Sequence, residues 1–238
     1  MSARANLQQM LKSGSLLAGF GVVSAALLAG VYALTKDQIA ASQQARLLRE
    51  LVAVLPADQY NNEVTADTLQ ISDARLGGTS TVYRARRDGT PVASIFTVVT
   101  PDGYSGDIAM LVGVTTDGTV TGVRVTGHRE TPGLGDKIEL RISDWILGFD
   151  GRSLTHPPRA EWAVRKDGGD FDQFTGATIT PRAVVRAVAR TLEVTAERQS
   201  EWWGAQPADN AGTDAESLPD GDALPTTVLP LPASETPP

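Results

Sequence analysis

Two stretches, TVYRARRDGTPVASIFTVV at Thr81–Val99 and IAMLVGVTTDGTVTGVRV at Ile108–Val125, decide the fold. Each joins two short runs rich in β-branched residues through an Asp-Gly pair, Asp88-Gly89 in the first and Asp117-Gly118 in the second. Such pairs suit tight hairpin turns, whose positive φ angles Gly and Asp tolerate, so the spacing predicts two hairpins of one antiparallel sheet. Downstream, the pattern predicts a helix over Asp136–Leu147 and a long one from Pro181 to about Trp203. Strands followed by helices on one side make an α+β domain, expected over residues 76–203.

Upstream lies the run LLAGFGVVSAALLAGVYAL from Leu16 to Leu34, inside the uncharged stretch Ser13–Thr35. A helix over residues 13–35 is long enough to cross a hydrocarbon core of roughly 30 Å. Arg4 and Lys12 precede it without an acid, which predicts a cytoplasmic N-terminus over residues 1–12 and an extracytoplasmic remainder. Val31-Tyr32-Ala33 resembles a signal-peptidase site, but the run is longer than the apolar core of a signal peptide, so an uncleaved anchor is expected. A stalk and linker follow over residues 36–75. From Gln38 to Leu55 the residues Ile39, Leu47, Leu48, Leu51, Val54 and Leu55 recur at helical spacing, and Pro56 ends the pattern. This face could cover the chain's own domain or a partner protein.

Composition narrows the function classes. The 238 residues hold no cysteine, which excludes disulfide scaffolds, zinc ribbons, iron–sulfur clusters, thiol catalysis and c-type haem attachment. An isoelectric point near 4.9 offers no field for a polyanion, so no nucleic-acid partner is expected. Much of the acidity sits in one place: residues 204–238 carry six acids and no base, with half of the chain's 14 prolines, and are expected to be disordered.

The chemistry points to Asp172-Gln-Phe-Thr-Gly-Ala-Thr-Ile-Thr-Pro181. Thr180 suits the cap and Pro181 the first position of the long helix, whose unpaired amides attract an anion. Gly176 lets a phosphate approach the backbone. An ordinary capped helix start reads the same way, and no general base of familiar spacing supports a threonine nucleophile for hydrolysis.

Asp172-x-x-Thr175-Gly176-Ala177-Thr178 resembles the flavinylation motif of FMN-binding domains, which carry FMN as a phosphoester on the last threonine. Two further blocks, Gly103–Ile108 and Gly127–Asp136, are similar to other segments of that domain. With the single N-terminal span, the chain resembles the G subunits of Rnf-type ion-translocating electron-transport complexes. The C subunit of the sodium-translocating NADH:quinone reductase is the alternative nearest in architecture.

The resemblance implies covalent FMN on Thr178, with Thr180 as fallback, and recognition of Asp172, Thr175, Gly176 and Ala177 by a flavin transferase. It sets Glu130, Thr131, Gly133, Leu134 and Gly135 beside the flavin. It further implies a protein without catalytic activity of its own, in a bacterial inner membrane with its FMN domain periplasmic, working among the other subunits of the complex. Electrons relayed through the flavin would be coupled to ion transport by the whole complex. His128 and His156 are too few for a metal site, and His128 is expected to bond within its own loop. A membrane-tethered scaffold is the non-redox alternative; a hydrolase finds no catalytic constellation.

Overall fold

The computed structural model describes residues 3–204, so the acidic tail lies outside the described residues. Five strands form one antiparallel meander in the order β1 (Thr68–Asp73), β2 (Gly78–Arg87), β3 (Thr90–Gly103), β4 (Gly106–Thr115) and β5 (Val120–Gly127). The two expected hairpins are present. Asp88 and Gly89 turn with φ of 51° and 79°, the geometry that makes Asp-Gly favourable there. A third tight turn, Tyr104-Ser105, links β3 to β4 between the paired Gly103 and Gly106. Strand β1 falls inside the expected linker and runs along β2, from Thr68 opposite Tyr83 to Asp73 opposite Gly78.

The long helix, α2 (Ile179–Trp203), covers one face of the sheet. Its Val184, Val188 and Leu192 join Val82, Phe96, Val98, Met110 and Val112 in the main core. The expected helix over Asp136–Leu147 is instead a pair of 3-10 turns, Gly135–Ile138 and Asp144–Phe149. Ser143 separates them: its extended backbone and side-chain bond from the Trp145 amide give the chain a local alternative to helix. Ile138, Ile146 and Phe149 still reach the core under α2, while Leu140 and Ile142 face outward.

Span and stalk are one continuous helix, α1 (Ala3–Val54). The apolar part of α1 is exposed and passes by length and hydropathy as a membrane span. The last turns of α1 cover the second face of the sheet, where Leu51, Val54 and Leu55 pack with Tyr83, Ala85, Ala93, Ile95 and Leu111. The approach is close, since a Cβ on Gly122 would stand 2.8 Å from the Val54 carbonyl oxygen. Within the stalk, then, Leu51, Val54 and Leu55 serve the chain's own domain, whereas Ile39, Leu48 and Val52 are exposed.

Two polar clusters fasten the ends of the sheet. Arg84 is fully buried; its Nε donates to Asp67 Oδ1 at 2.7 Å and its Nη1 to the Trp202 carbonyl at 2.5 Å. Trp202, also fully buried, meets the Phe96 ring edge-on at 5.5 Å and donates to Ser94.

The second cluster makes stability depend on pH. Asp73 accepts from Arg75 at 2.9 Å and from Arg198 of α2 at 3.0 Å. The Arg75 hydrogen bond, helped by Arg198 and opposed by burial, holds this carboxyl well below the usual carboxylate range. A folded-state value below the unfolded one contributes stability that is complete above about pH 4 and fades as pH falls further. Thermal melts of wild type and Asp73→Asn should therefore differ at pH 7 and converge towards pH 2; an equal gap at both would contradict this.

Candidate functional site

Three segments far apart in sequence meet on one carboxylate. Glu130, in the loop after β5, is 5% exposed. Its Oε1 accepts from the Ser105 amide at the β3–β4 tip, at 3.0 Å, and its Oε2 from the Thr180 hydroxyl of α2, at 2.5 Å. Gly135 makes room for this, because a Cβ there would stand 2.8 Å from both Glu130 Oε2 and Thr180 Oγ1.

The loop holding Glu130 is itself pinned. His128 Nδ1 accepts from the Glu130 amide at 3.0 Å, and Nε2 meets Glu139 at 2.6 Å. Arg141, with a smaller part from His128, draws the Glu139 carboxyl below its ordinary range. Thr131-Pro132-Gly133-Leu134 closes with a bond from the Leu134 amide to the Thr131 carbonyl and a φ of 77° at Gly133, the pattern of a type II turn.

A similar turn carries the threonines. Ala177 donates to the Phe174 carbonyl at 3.1 Å, with Gly176 between them at φ 81°, where any other residue would be strained. Buried Phe171 and Phe174 anchor the approach to it. Phe174 meets Trp145 at 5.1 Å, and Trp145 Nε1 donates to the Asp172 carbonyl. The motif's own acid points away: the Asp172 carboxylate pairs with Arg165 in an exposed position.

Helix α2 starts earlier than the proline suggests. Thr178, not Thr180, stands at its cap and makes no capping bond with its side chain; Pro181 sits within the first turn, where its missing N–H costs nothing. Thr180 is fully buried and its hydroxyl serves Glu130.

Between the two turns lies a cavity of about 220 Å³. Thr178, Gly176, Ala177, Thr180, Glu130, Thr131, Leu134 and Gly135 line it; Gly133, Thr175 and Asp172 do not. Tyr104 and Ile179 complete the lining; both lie in segments marked by the sequence, but neither is among the individual site residues expected from it. Tyr104 sits in the Gly103–Ile108 block at a hairpin tip, where an aromatic residue has little core to cover, and it is 69% exposed. The cavity thus offers a half-buried hydroxyl at Thr178, the first amides of a 25-residue helix, and apolar surface from Leu134 and Ile179. Such a site suits a ligand with an anionic end and a flat apolar body.

Comparison with known proteins bears on the same residues. Residues 103–193 match the FMN-binding domain, and residues 1–54 match the RnfG N-terminal region. The G subunit of the ion-translocating oxidoreductase complex of Vibrio cholerae (serotype O1, strain M66-2) is 48% identical over 197 residues, covering 82% of this chain and 94% of the relative. The protein of the same name from Escherichia coli K12 is 52% identical over 187 residues, 77% of this chain and 90% of the relative. That from Shewanella amazonensis is 42% identical and covers 88% and 99%.

Proposed function

Because the chain belongs to the G-subunit family of ion-translocating oxidoreductase complexes, we propose that it carries FMN as a phosphoester on Thr178 and relays electrons between redox centres of its complex. The observation that carries this reading is the Thr178 hydroxyl. It lines the cavity at the mouth of α2 and makes no capping bond, whereas its neighbour Thr180 is buried and engaged.

FMN fits the residues present. The phosphate would meet the first amides of α2, which favour negative charge, and Gly176 leaves the backbone open beside it. Leu134 and Ile179 would flank the ring system. Sites that engulf a small molecule usually exceed about 300 Å³, so this cavity takes only part of FMN and leaves a side open for electron exchange. In esterification the Thr178 oxygen would bond to the flavin phosphorus as the phosphoanhydride bond of an activated flavin nucleotide breaks, with the departing phosphate group taking up the hydroxyl proton, on a transferase that supplies the activated nucleotide. Thr175 and Asp172 are exposed, which would leave them open to recognition by that enzyme.

When bound, the flavin supplies a centre that takes one or two electrons. The chain's residues hold it. A covalent tether keeps the cofactor at high effective concentration at the domain, whatever its intrinsic affinity. That matters on the periplasmic side, where Arg4 and Lys12 ahead of the span would put the domain. The span from Ser13 to Thr35 has no ionisable residue other than Tyr32, so ion coupling belongs to the other proteins of the complex.

Mass spectrometry tests the reading. In cells that contain the transferase, the peptide spanning Thr178 should carry one FMN by a phosphoester. An unmodified peptide from such cells would sink the assignment.

A further inference from the structure

Glu130 is the one charged side chain among the described residues lining the cavity, and no Lys, Arg or His there balances it. Its two oxygens are already committed to Ser105 and Thr180, so it does not need a cation to stay in place. A group filling this cavity thus meets a fixed negative charge held in a poorly solvated wall. We infer that Glu130 does two things: it clamps the three segments around the cavity, and it lowers the midpoint potential of the flavin held there. This rests on the FMN assignment above.

The physical basis is charge repulsion. Reduction adds two electrons to the ring, supplied in the complex by an upstream redox centre, and takes up one or two protons from solvent. The reduced ring carries more negative charge or must bind more protons, and a carboxylate nearby disfavours the former. Toward a reduced flavin the positive end of α2 would act in the opposite sense, but a phosphate on Thr178 would stand between that end and the ring. Of the described residues lining the cavity, only Glu130 would bring a formal charge to the ring.

Full-length protein, coexpressed with a flavin transferase and purified in detergent, can be titrated with dithionite at pH 8 while the flavin absorbance is followed. Glu130→Gln keeps the shape and removes the charge, and its midpoint potential should rise above wild type. Thr180→Val removes one arm of the clamp and keeps the charge, so its potential should stay at or below wild type. A purely structural role would move both variants the same way, and that outcome overturns the proposal, as does a Glu130→Gln potential no higher than wild type. Should Glu130→Gln fail to accumulate, Thr180→Val decides alone: a raised potential overturns the proposal, and an unchanged or lowered one supports it. Mass spectrometry of the same samples separates the two claims, because loss of flavin from wild type strikes the FMN assignment, whereas flavin retained with an unmoved Glu130→Gln potential strikes only the role of Glu130.

Discussion

Thr178→Ala should give a folded, full-length protein with no covalent flavin at all. On a denaturing gel under ultraviolet light, the fluorescent band of wild type coexpressed with a transferase should vanish. The fold should survive, since the Thr178 side chain makes no capping bond and is only half-buried. Thr180→Ser is the matching control: it keeps a hydroxyl for Glu130 and should keep the band. Thr180→Ala should also keep flavin, at a cost of about 1–3 kcal/mol in stability, because Glu130 Oε2 loses its donor inside the protein. A fluorescent band in Thr178→Ala, or its loss in Thr180→Ser, would point to the wrong hydroxyl.

The largest expected effect on stability comes from Asp67→Ala. That change takes the carboxylate from the fully buried guanidinium of Arg84 and a partner from Arg86, whose Nε donates to Asp67 Oδ2 at 2.9 Å. Breaking a buried pair from one side costs about 3–5 kcal/mol, which for a domain of this size lowers the melting temperature by roughly 6–20 °C. Replacing both partners with apolar residues, Asp67→Leu with Arg84→Met, should recover much of the loss, because no buried charge is then left uncompensated. Differential scanning fluorimetry of the detergent-purified chain reads both. A melting point within about 2 °C of wild type for Asp67→Ala would show that water reaches Arg84 and that the cluster contributes little.

The same cluster explains a gap in the sequence reading. Residues 56–75 look like linker because they contain Pro56 and a scatter of polar residues, and β1 alternates too weakly to stand out. What holds β1 is its register against β2, with Asp67 just before it anchored on Arg84. The helix expected over Asp136–Leu147 failed for a related reason: its apolar spacing is real, but Ile138, Ile146 and Phe149 reach the core from separate turns on either side of Ser143.

At the site, the threonine-glycine turn ahead of the long helix was legible because it is a run of consecutive residues. The role of Thr180 was not. Its hydroxyl, assigned from sequence to the helix cap, is taken by a carboxylate 50 residues away.

The sequence alone determined what depends on local chemistry: an apolar run long enough for a bilayer, two Asp-Gly hairpins, and a threonine-rich segment with a glycine just ahead of a long helix. The tertiary structure decided what depends on closing long loops. It joined span and stalk into one helix seated on the second face of the sheet, and it brought Ser105, Glu130 and Thr180 to one point. Periodicity and turn propensity act over a few residues and leave their mark in composition. A hydrogen bond between distant segments leaves none, because any carboxylate and any hydroxyl could make it until the sheet fixes which two meet.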